Sequence, residues 1–469
     1  MRSQLYTGEL WSVSQYNANN GWIFNGNNGT VNNNNKYNGN ISARVLDCNL
    51  KDFDGLEEFN TFIDSFYDAY YECRKSKRNK SAQLEFEYHF AEKFIDIVLS
   101  VFICEYVPDE SIFFIVPPMR EVGAAYFGDR VVQTWYVNQL RPFMENEWLD
   151  PDSYSCREGK GGLRAVHRLR EYIAEATNGY IYDAWIVKRD VRAFFMSIDT
   201  KVLVDELEDF IYQHFGMEPD LRERLCYLTR IIYQSQPQDH CVLRSHPLAW
   251  RDFDPRKTIL NRNGYTGIPI GNHTSQMAAN FYTGFYIAEL RKRGYRFVHY
   301  TDDTAIVVTD REQWKIDEKE IERLISEKLH LEWHTRKKYY QHHSKGVTML
   351  GYKLRFDRIL PSDRVAHNFI WKTRCAAMRA VRKPDVVFTE KETFMATFNS
   401  YCGLLKWCDA KKLVKSQVEL LKGSYWTEVY DIYENKVNIK KNRTRLSWFG
   451  WKNKIRKKAM KEERSNRKY

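Results

Sequence analysis

The chain has 469 residues, of which 15% are aromatic and 28% charged, and its net charge is +11. That length supports two or three domains with a real core, no apolar run is long enough to span a bilayer, and the polar N-terminus does not read as a signal peptide. Nine scattered cysteines without a CxxC pair read as reduced thiols of a cytoplasmic protein, not as a zinc site.

Charge is unevenly placed. From Lys436 onward fourteen Lys/Arg face only Glu462 and Glu463, so the C-terminal tail carries the excess and the remaining chain is near neutral. At the other end, residues 1–42 stand apart: twelve asparagines fall between Asn17 and Asn40. Such a segment buries little apolar surface and reads as disorder or an extended surface strip.

From Leu56 the pattern turns helical, with Phe59, Phe62, Ile63, Phe66 and Tyr67 at three- and four-residue spacing, and a second amphipathic run covers Leu84 to Phe102. Ser111 to Val116 reads as a strand stopped by Pro117 and Pro118, followed by Arg120 and then a helix opening at Ala124. Arg120 has the chemistry to bind a triphosphate bidentately, although alone it reads equally as a surface arginine. The glycine-rich stretch Ser153 to Gly162 opens a helix to Ala176 but lacks Walker spacing. Lys160 at that helix start is a candidate for a backbone phosphate of template or primer.

Asp183 to Phe195 reads as a strand ending in Asp190, and an acid at the end of a buried strand is costly unless paired or bound to metal. Helical segments near 199–233 precede a proline-rich stretch, about 234–263, expected to be a loop. Gly267 to Gln276 then leads into a helix to about Arg291, with Gly271 admitting close approach of a base pair or nucleotide.

Arg296 to Val308 places β-formers around Tyr300-Thr301-Asp302-Asp303, the pattern of a hairpin with two carboxylates at its tip. Adjacent carboxylates repel, so a fold that holds them together normally has a cation between them. Hard oxygen ligands suit Mg²⁺, and a pair of such ions serves phosphoryl and nucleotidyl transfer. An Asp-Asp turn is common by itself; Asp190 supplies the third carboxylate that makes the set specific. A helix near 311–329, Glu332 to Lys338, Gly346 to Lys353 and helices over about 366–430 complete the body. His299 reads as packed beside the hairpin, and His342-His343 as exposed. The tail is either a solvated end or a nucleic-acid-binding arm, and Trp448, Phe449 and Trp451 among cations such as Arg443 and Lys454 favour stacking on unpaired bases.

In this order the pieces resemble a reverse transcriptase over roughly residues 55–430. Pro-Pro-Met-Arg120-Glu resembles the fingers motif gripping the incoming triphosphate, Asp190 the first catalytic aspartate, and Tyr-Thr-Asp302-Asp303 the catalytic hairpin. Lys337-Lys338 resembles the lysine region near the leaving pyrophosphate, and Met-Leu-Gly-Tyr the primer grip. The resemblance implies an α+β fold: a right-hand polymerase with fingers and palm around an antiparallel sheet and a helical thumb. Domain boundaries then fall at 1–45 (Asn-rich segment), 46–180 (fingers), 181–360 (palm, interleaved with fingers), 361–435 (thumb) and 436–469 (basic tail). It also implies two Mg²⁺ ions, with Mn²⁺ able to substitute, on Asp190, Asp302 and Asp303, with dNTPs, template RNA and a cDNA primer as partners. Arg120, Phe195, Ile270, Gly271 and Lys337 would contact the nucleotide; Lys160, Gln276, Arg443, Trp448, Trp451 and Lys454 the nucleic acid. Phe195 would exclude a ribose 2′-hydroxyl.

Gly-Ile-Pro-Ile270-Gly-Asn-His-Thr-Ser-Gln276 resembles the reverse transcriptases of diversity-generating retroelements, within the group II intron/retron-like superfamily. Ile270 stands where most relatives carry glutamine, and Gln276 where they carry proline. Such enzymes copy a template repeat with errors at adenines and work with a small basic accessory protein. A departure is Met119, where the family usually has a lysine before the arginine. The Asn-rich N-terminus resembles the C-terminal end of the lectin-like proteins these elements diversify, so one reading places its information in its adenine-rich codons, with the protein segment itself idle; an Asn-rich disordered leader is the other. Two further readings stay open: a reverse-transcriptase-like polymerase of phage defence, and a non-enzymatic RNA-binding scaffold.

Overall fold

The structure, a computed structural model, describes residues 21–25, 30–34, 56–75, 80–117, 119–262, 264–334, 338–382, 384–422, 430–432 and 437–439. Lys337 and the tail residues Arg443, Trp448, Trp451 and Lys454 lie outside the described residues. The chain divides into two compact units, 1–340 and 341–469. Within the Asn-rich segment the described residues form a two-stranded antiparallel ribbon, β1 (Gly21–Asn25) and β2 (Thr30–Asn34).

The first helices of unit 1 are α1 (Leu56–Arg74), α2 (Ser81–Tyr88) and α3 (Phe90–Phe102). The apolar run read as one helix from Leu84 is thus broken at His89, whose φ of −108° and ψ of 33° leave the helical region. One face of α1 buries Phe59, Phe62 and Phe66 against α4 (Phe127–Phe143), where Phe66 stacks on Trp135 at 4.7 Å between ring centroids. Each such ring contributes about 1.5–3 kcal/mol on burial, which makes this aromatic layer the anchor of the unit's first third.

β3 (Ser111–Val116) pairs antiparallel with β4 (Arg120–Ala124), from Ile112↔Ala124 to Val116↔Arg120. Here the sequence reading is corrected: Arg120 opens a strand, and α4 begins only at Phe127. The short Arg-Glu-Val-Gly-Ala run has too little alternation to show as a strand without the partner that β3 supplies. The expected loop at 234–263 is corrected likewise, because β6 (Cys241–Leu243) lies parallel to β3 and short 3₁₀ turns occupy Pro247–Trp250 and Pro255–Lys257.

The helices α5 (Gly162–Ala176), α6 (Phe194–Ser197), α7 (Thr200–His214), α8 (Pro219–Gln234), α9 (His273–Lys292) and α10 (Arg311–Leu329) surround the central sheet's strands β5 (Trp185–Asp190), β7 (Arg296–Tyr300) and β8 (Asp303–Val308) in sequence. β8 runs antiparallel between β7 and β5. Val187, Phe297, Ile306 and Val308 of the strands share one core with Ala278 and Tyr282 of α9 and Ile321 and Ile325 of α10. α10 starts where Asp310 accepts hydrogen bonds from the Glu312 and Gln313 amides, both 3.0 Å, an N-cap that fixes where the strand hands over to the helix.

In unit 2, antiparallel strands at Val347–Met349, Tyr352–Leu354 and Ile359–Pro361 precede helices α11 (Asp363–Arg382), α12 (Pro384–Leu405) and α13 (Lys411–Leu421). The Met-Leu-Gly-Tyr motif is the tight turn of this hairpin: Leu350 (φ 50°) and Gly351 (φ 87°) are both left-handed, as a type I′ turn requires. Phe369, Phe398, Cys402 and Leu405 lie in the helical core. His342 and His343 are half-buried, not exposed as the sequence reading had them. Among the described residues, no helix is long and apolar enough to cross a membrane.

Candidate active site

The hairpin read from the sequence is present and tight. Tyr300 pairs with Asp303, leaving Thr301 and Asp302 as a two-residue turn. Two-residue hairpin turns need φ above zero at the first central position, normally glycine's place. Thr301 fills it at φ 60°, a conformation costing a β-branched residue on the order of 1–2 kcal/mol. Its hydroxyl is 2.6 Å from the Ser155 hydroxyl, and the Asn280 amide donates to the Ser155 carbonyl at 2.8 Å. The segment before Ser155 lies along β7: His299 N–H donates to the Asp152 carbonyl and Tyr154 N–H to the His299 carbonyl, both 2.9 Å.

Asp190 and Asp303 are direct cross-strand partners, so their side chains leave the same face of adjoining strand ends. Asp302 joins them from the turn. Burial pushes its carboxyl up to about 6, the Asp190 and Asp303 charges push the same way, and the Arg120 guanidinium pulls it back. The Lys188 ammonium lies 2.9 Å and 3.0 Å from the two oxygens of Asp303. The three carboxylates lie at one end of the sheet, close enough for the Asp190 and Asp303 charges to be felt at Asp302, although their oxygens are not gathered within ligand distance of one point; hard oxygen donors of this kind suit a divalent ion such as Mg²⁺.

Other sequence candidates take varied places. Arg120 is exposed at the start of β4, near enough to Asp302 for its charge to be felt there. Phe195 and Ile270 come together: both pack, half-buried, on the small apolar cluster of Phe113, Met196 and Ile259. The backbone ties them as well, with Ile268 N–H donating to the Phe195 carbonyl and Gly123 N–H to the Ile270 carbonyl, both 2.9 Å. Gly271 (φ 123°) approaches its own chain, since a Cβ there would stand 2.8 Å from Val122 Cγ1. Gln276 is exposed and, with Gly271, Asn272, His273, Arg130 and Gln133, lines a polar cavity of about 250 Å³. Lys160 turns inward, donating to the Pro151 carbonyl at 2.6 Å. His334 N–H donates to the Asp190 carbonyl at 2.8 Å; Lys337 itself lies outside the described residues.

His299 is a core residue, 1% exposed, between the Thr283 hydroxyl at 3.0 Å and the Thr304 hydroxyl at 2.9 Å. Burial holds its imidazole down at about 3, so it is neutral. Sequence reasoning passed over Lys188, Ser155 and Glu121. For Lys188 a signal existed: two residues before Asp190 on a strand, it shares that residue's face. Glu121 is a buried carboxylate accepting from Trp250 Nε1 at 2.7 Å, the Ile259 amide at 2.7 Å and the Thr258 hydroxyl, which fastens the 247–260 segment to β4.

The fold is mixed helix and sheet, with a carboxylate set at the end of an antiparallel sheet. Residues 117–354, half of the chain, match the model of the reverse transcriptase (RNA-dependent DNA polymerase) family, and the chain belongs to that family. Its members are nucleotidyltransferases that use divalent metal ions and bind template and primer. No curated protein matches the sequence. Among solved structures, apo telomerase from Candida tropicalis, truncated from its C-terminal domain, is similar at 11% identity and a TM-score of 0.32, over 48% of this chain and 43% of that one. The chain therefore spans under half the length of that telomerase, and so low a score carries no argument about function.

Proposed function

We propose that this protein is an RNA-directed DNA polymerase that copies an RNA template repeat into cDNA with errors at template adenines, so as to diversify a target gene. The observation that carries the polymerase reading is the register Asp190↔Asp303 with Asp302 in the adjoining turn. On this reading 46–180 are fingers, 181–360 palm, 361–435 thumb and 436–469 a nucleic-acid-binding tail. Asp190 and Asp302 would hold two Mg²⁺, with Asp303 in support; bound there, the ions would supply Lewis-acid activation of the primer 3′-hydroxyl and neutralise charge on the triphosphate. Arg120 grips the phosphates as a bidentate donor. Phe195 stands beside the sugar and selects deoxyribose. Lys337 gives a proton to the departing pyrophosphate. Ile270, unable to hydrogen-bond, relaxes nucleotide selection, and its packing on the same cluster as Phe195 supports joint action of the two. A small basic accessory protein would complete the machinery.

The test is Mg²⁺-dependent DNA synthesis on an adenine-rich RNA, with sequenced products and Asp302→Ala as control. Errors concentrated at template adenines support the whole reading. Faithful or untemplated product would keep the polymerase and move its role to phage defence. Absence of synthesis with every RNA offered would leave the RNA-binding scaffold.

A further inference from the structure

Thr301 occupies the position of the catalytic turn where glycine is the natural residue, and it does so with a β-branched side chain at φ 60°. A non-glycine residue persists there only when its surroundings over-determine it. Among the described residues the Thr301 side chain is held by one hydroxyl pair: Ser155 Oγ and Thr301 Oγ1 are 2.6 Å apart. Ser155 is only 2% exposed, so water competes poorly for that hydrogen bond.

Ser155 is itself held from three directions. Asn280 Nδ2, on the buried helix α9, donates to its carbonyl at 2.8 Å. Tyr154 N–H bonds the His299 carbonyl in β7 at 2.9 Å, which sets the register of the segment against the hairpin. Farther back, the Arg157 guanidinium donates to the Asp150 and Ser153 carbonyls at 2.6 Å and 2.8 Å and pairs with Glu145 at 2.7 Å. The glycine-rich stretch is therefore a rigid bracket behind the hairpin, and Ser155 is the point where it meets the turn.

We infer that Ser155 is a positioning residue for the Tyr300–Asp303 turn: its hydroxyl holds Thr301 in the left-handed conformation that aims Asp302 at Asp190 and Asp303. This role rests on the polymerase reading only for its catalytic consequence; the conformational consequence stands by itself. Ser155 touches no reacting atom. It acts through Thr301, so losing it should relax the turn while leaving nucleotide binding at Arg120 alone.

The experiment is a two-by-two comparison in the full chain of wild type, Ser155→Ala, Thr301→Gly and the double variant. Glycine adopts φ 60° without help, so in its background the Ser155 hydroxyl has nothing to hold. Ser155→Ala is expected to lower kcat about tenfold with KM for dNTP unchanged, the factor that one hydrogen bond of ordinary net strength carries. Amide hydrogen exchange across 301–304 should quicken by a similar factor. In the Thr301→Gly background both effects of Ser155→Ala should vanish. Equal losses in the two backgrounds, or exchange rates that Ser155→Ala leaves unmoved, would overturn the proposal. If wild type makes no DNA the polymerase reading fails, and the exchange comparison still decides the role of Ser155.

Discussion

Lys188 and Asp303 face one another on the central sheet, the ammonium within 3.0 Å of both carboxylate oxygens. Lys188 pairs in register with Ala305, so it reaches Asp303 diagonally across the same face. The protein thus brings a cation of its own to the acidic end of the sheet, which offsets part of the repulsion felt among Asp190, Asp302 and Asp303. Replacing Lys188 by Met should weaken the metal-free protein by about 1 kcal/mol, roughly 2–4 °C in Tm in EDTA, as expected for a partly buried pair. Added Mg²⁺ should then raise Tm more in Lys188→Met than in wild type, since it relieves a repulsion that Lys188 otherwise offsets. Identical melting curves for the two proteins, with and without Mg²⁺, would show that the pair does not form in solution.

His299 makes stability depend on pH in a direction that can be worked out. Burial holds its pKa at about 3, against 6.5 for an exposed imidazole. Between those values the unfolded chain binds a proton that the native chain refuses, so stability is complete above pH 6.5 and falls as the pH drops. At pH 5 the loss is about 2 kcal/mol. Asp129 works the other way: burial raises its carboxyl to about 6, so the native state takes up a proton there and gains stability as pH falls from 6 toward 3.8. The clean measurement is therefore a difference. The stability gap between wild type and His299→Gln should narrow by about 2 kcal/mol from pH 7.5 to pH 5, and a gap that stays constant would mean His299 is not buried neutral.

What could be read from the sequence was the part governed by local pattern. Alternating β-formers around a polar tip gave the hairpin, aromatic spacing gave α1, and Asp190 at a strand end is the cross-strand partner of Asp303. What could not be read depends on contacts distant in sequence. β4 is a strand because β3 lies beside it, and β6 because β3 offers its other edge 130 residues away in the direction of Ser111↔Cys241. Gly271 reads as a close approach for a nucleotide; that its own Cβ direction runs into Val122 Cγ1 at 2.8 Å is a contact across the sequence that no local pattern shows. Ser155 lies within a motif whose glycines and lysine drew the reading toward phosphate, whereas its hydroxyl meets Thr301, 146 residues on. Hydrogen-bond partners at that separation leave no periodicity.

Glu121 follows Arg120 on β4 and points to the opposite face, where its carboxylate accepts from Trp250, Thr258 and Ile259. Glu121→Ala would strand three donors at once, two of them buried and the Trp250 indole half-buried, and should cost about 3–5 kcal/mol of stability. Glu121→Gln keeps an acceptor oxygen of the same shape but exchanges the other for a donor facing donors, so an intermediate loss of about 1–3 kcal/mol is expected. Because the 247–260 segment braces the strand that carries Arg120, KM for dNTP should rise in Glu121→Gln while Tm remains high enough to assay. Thermal melts alongside steady-state kinetics check both, and a Glu121→Gln protein with unchanged Tm and KM would remove the brace.

Ile270 gives the sharpest test of the diversification reading. Its side chain is half-buried against Phe113, Met196 and Ile259, the cluster that also carries Phe195. A glutamine there sets a polar amide against apolar neighbours, and if it finds no partner stability should fall by about 1–3 kcal/mol. Ile270→Val keeps the apolar contact and loses one methylene, about 1 kcal/mol, and so serves as the control for packing alone. If Ile270 relaxes nucleotide selection because it cannot hydrogen-bond, Ile270→Gln should lower errors at template adenines several-fold relative to Ile270→Val, with errors at other template bases little changed. Product sequencing from the three proteins on one adenine-rich RNA makes the comparison. Error spectra that coincide between Gln and Val would detach Ile270 from nucleotide selection and leave it a packing residue beneath Phe195.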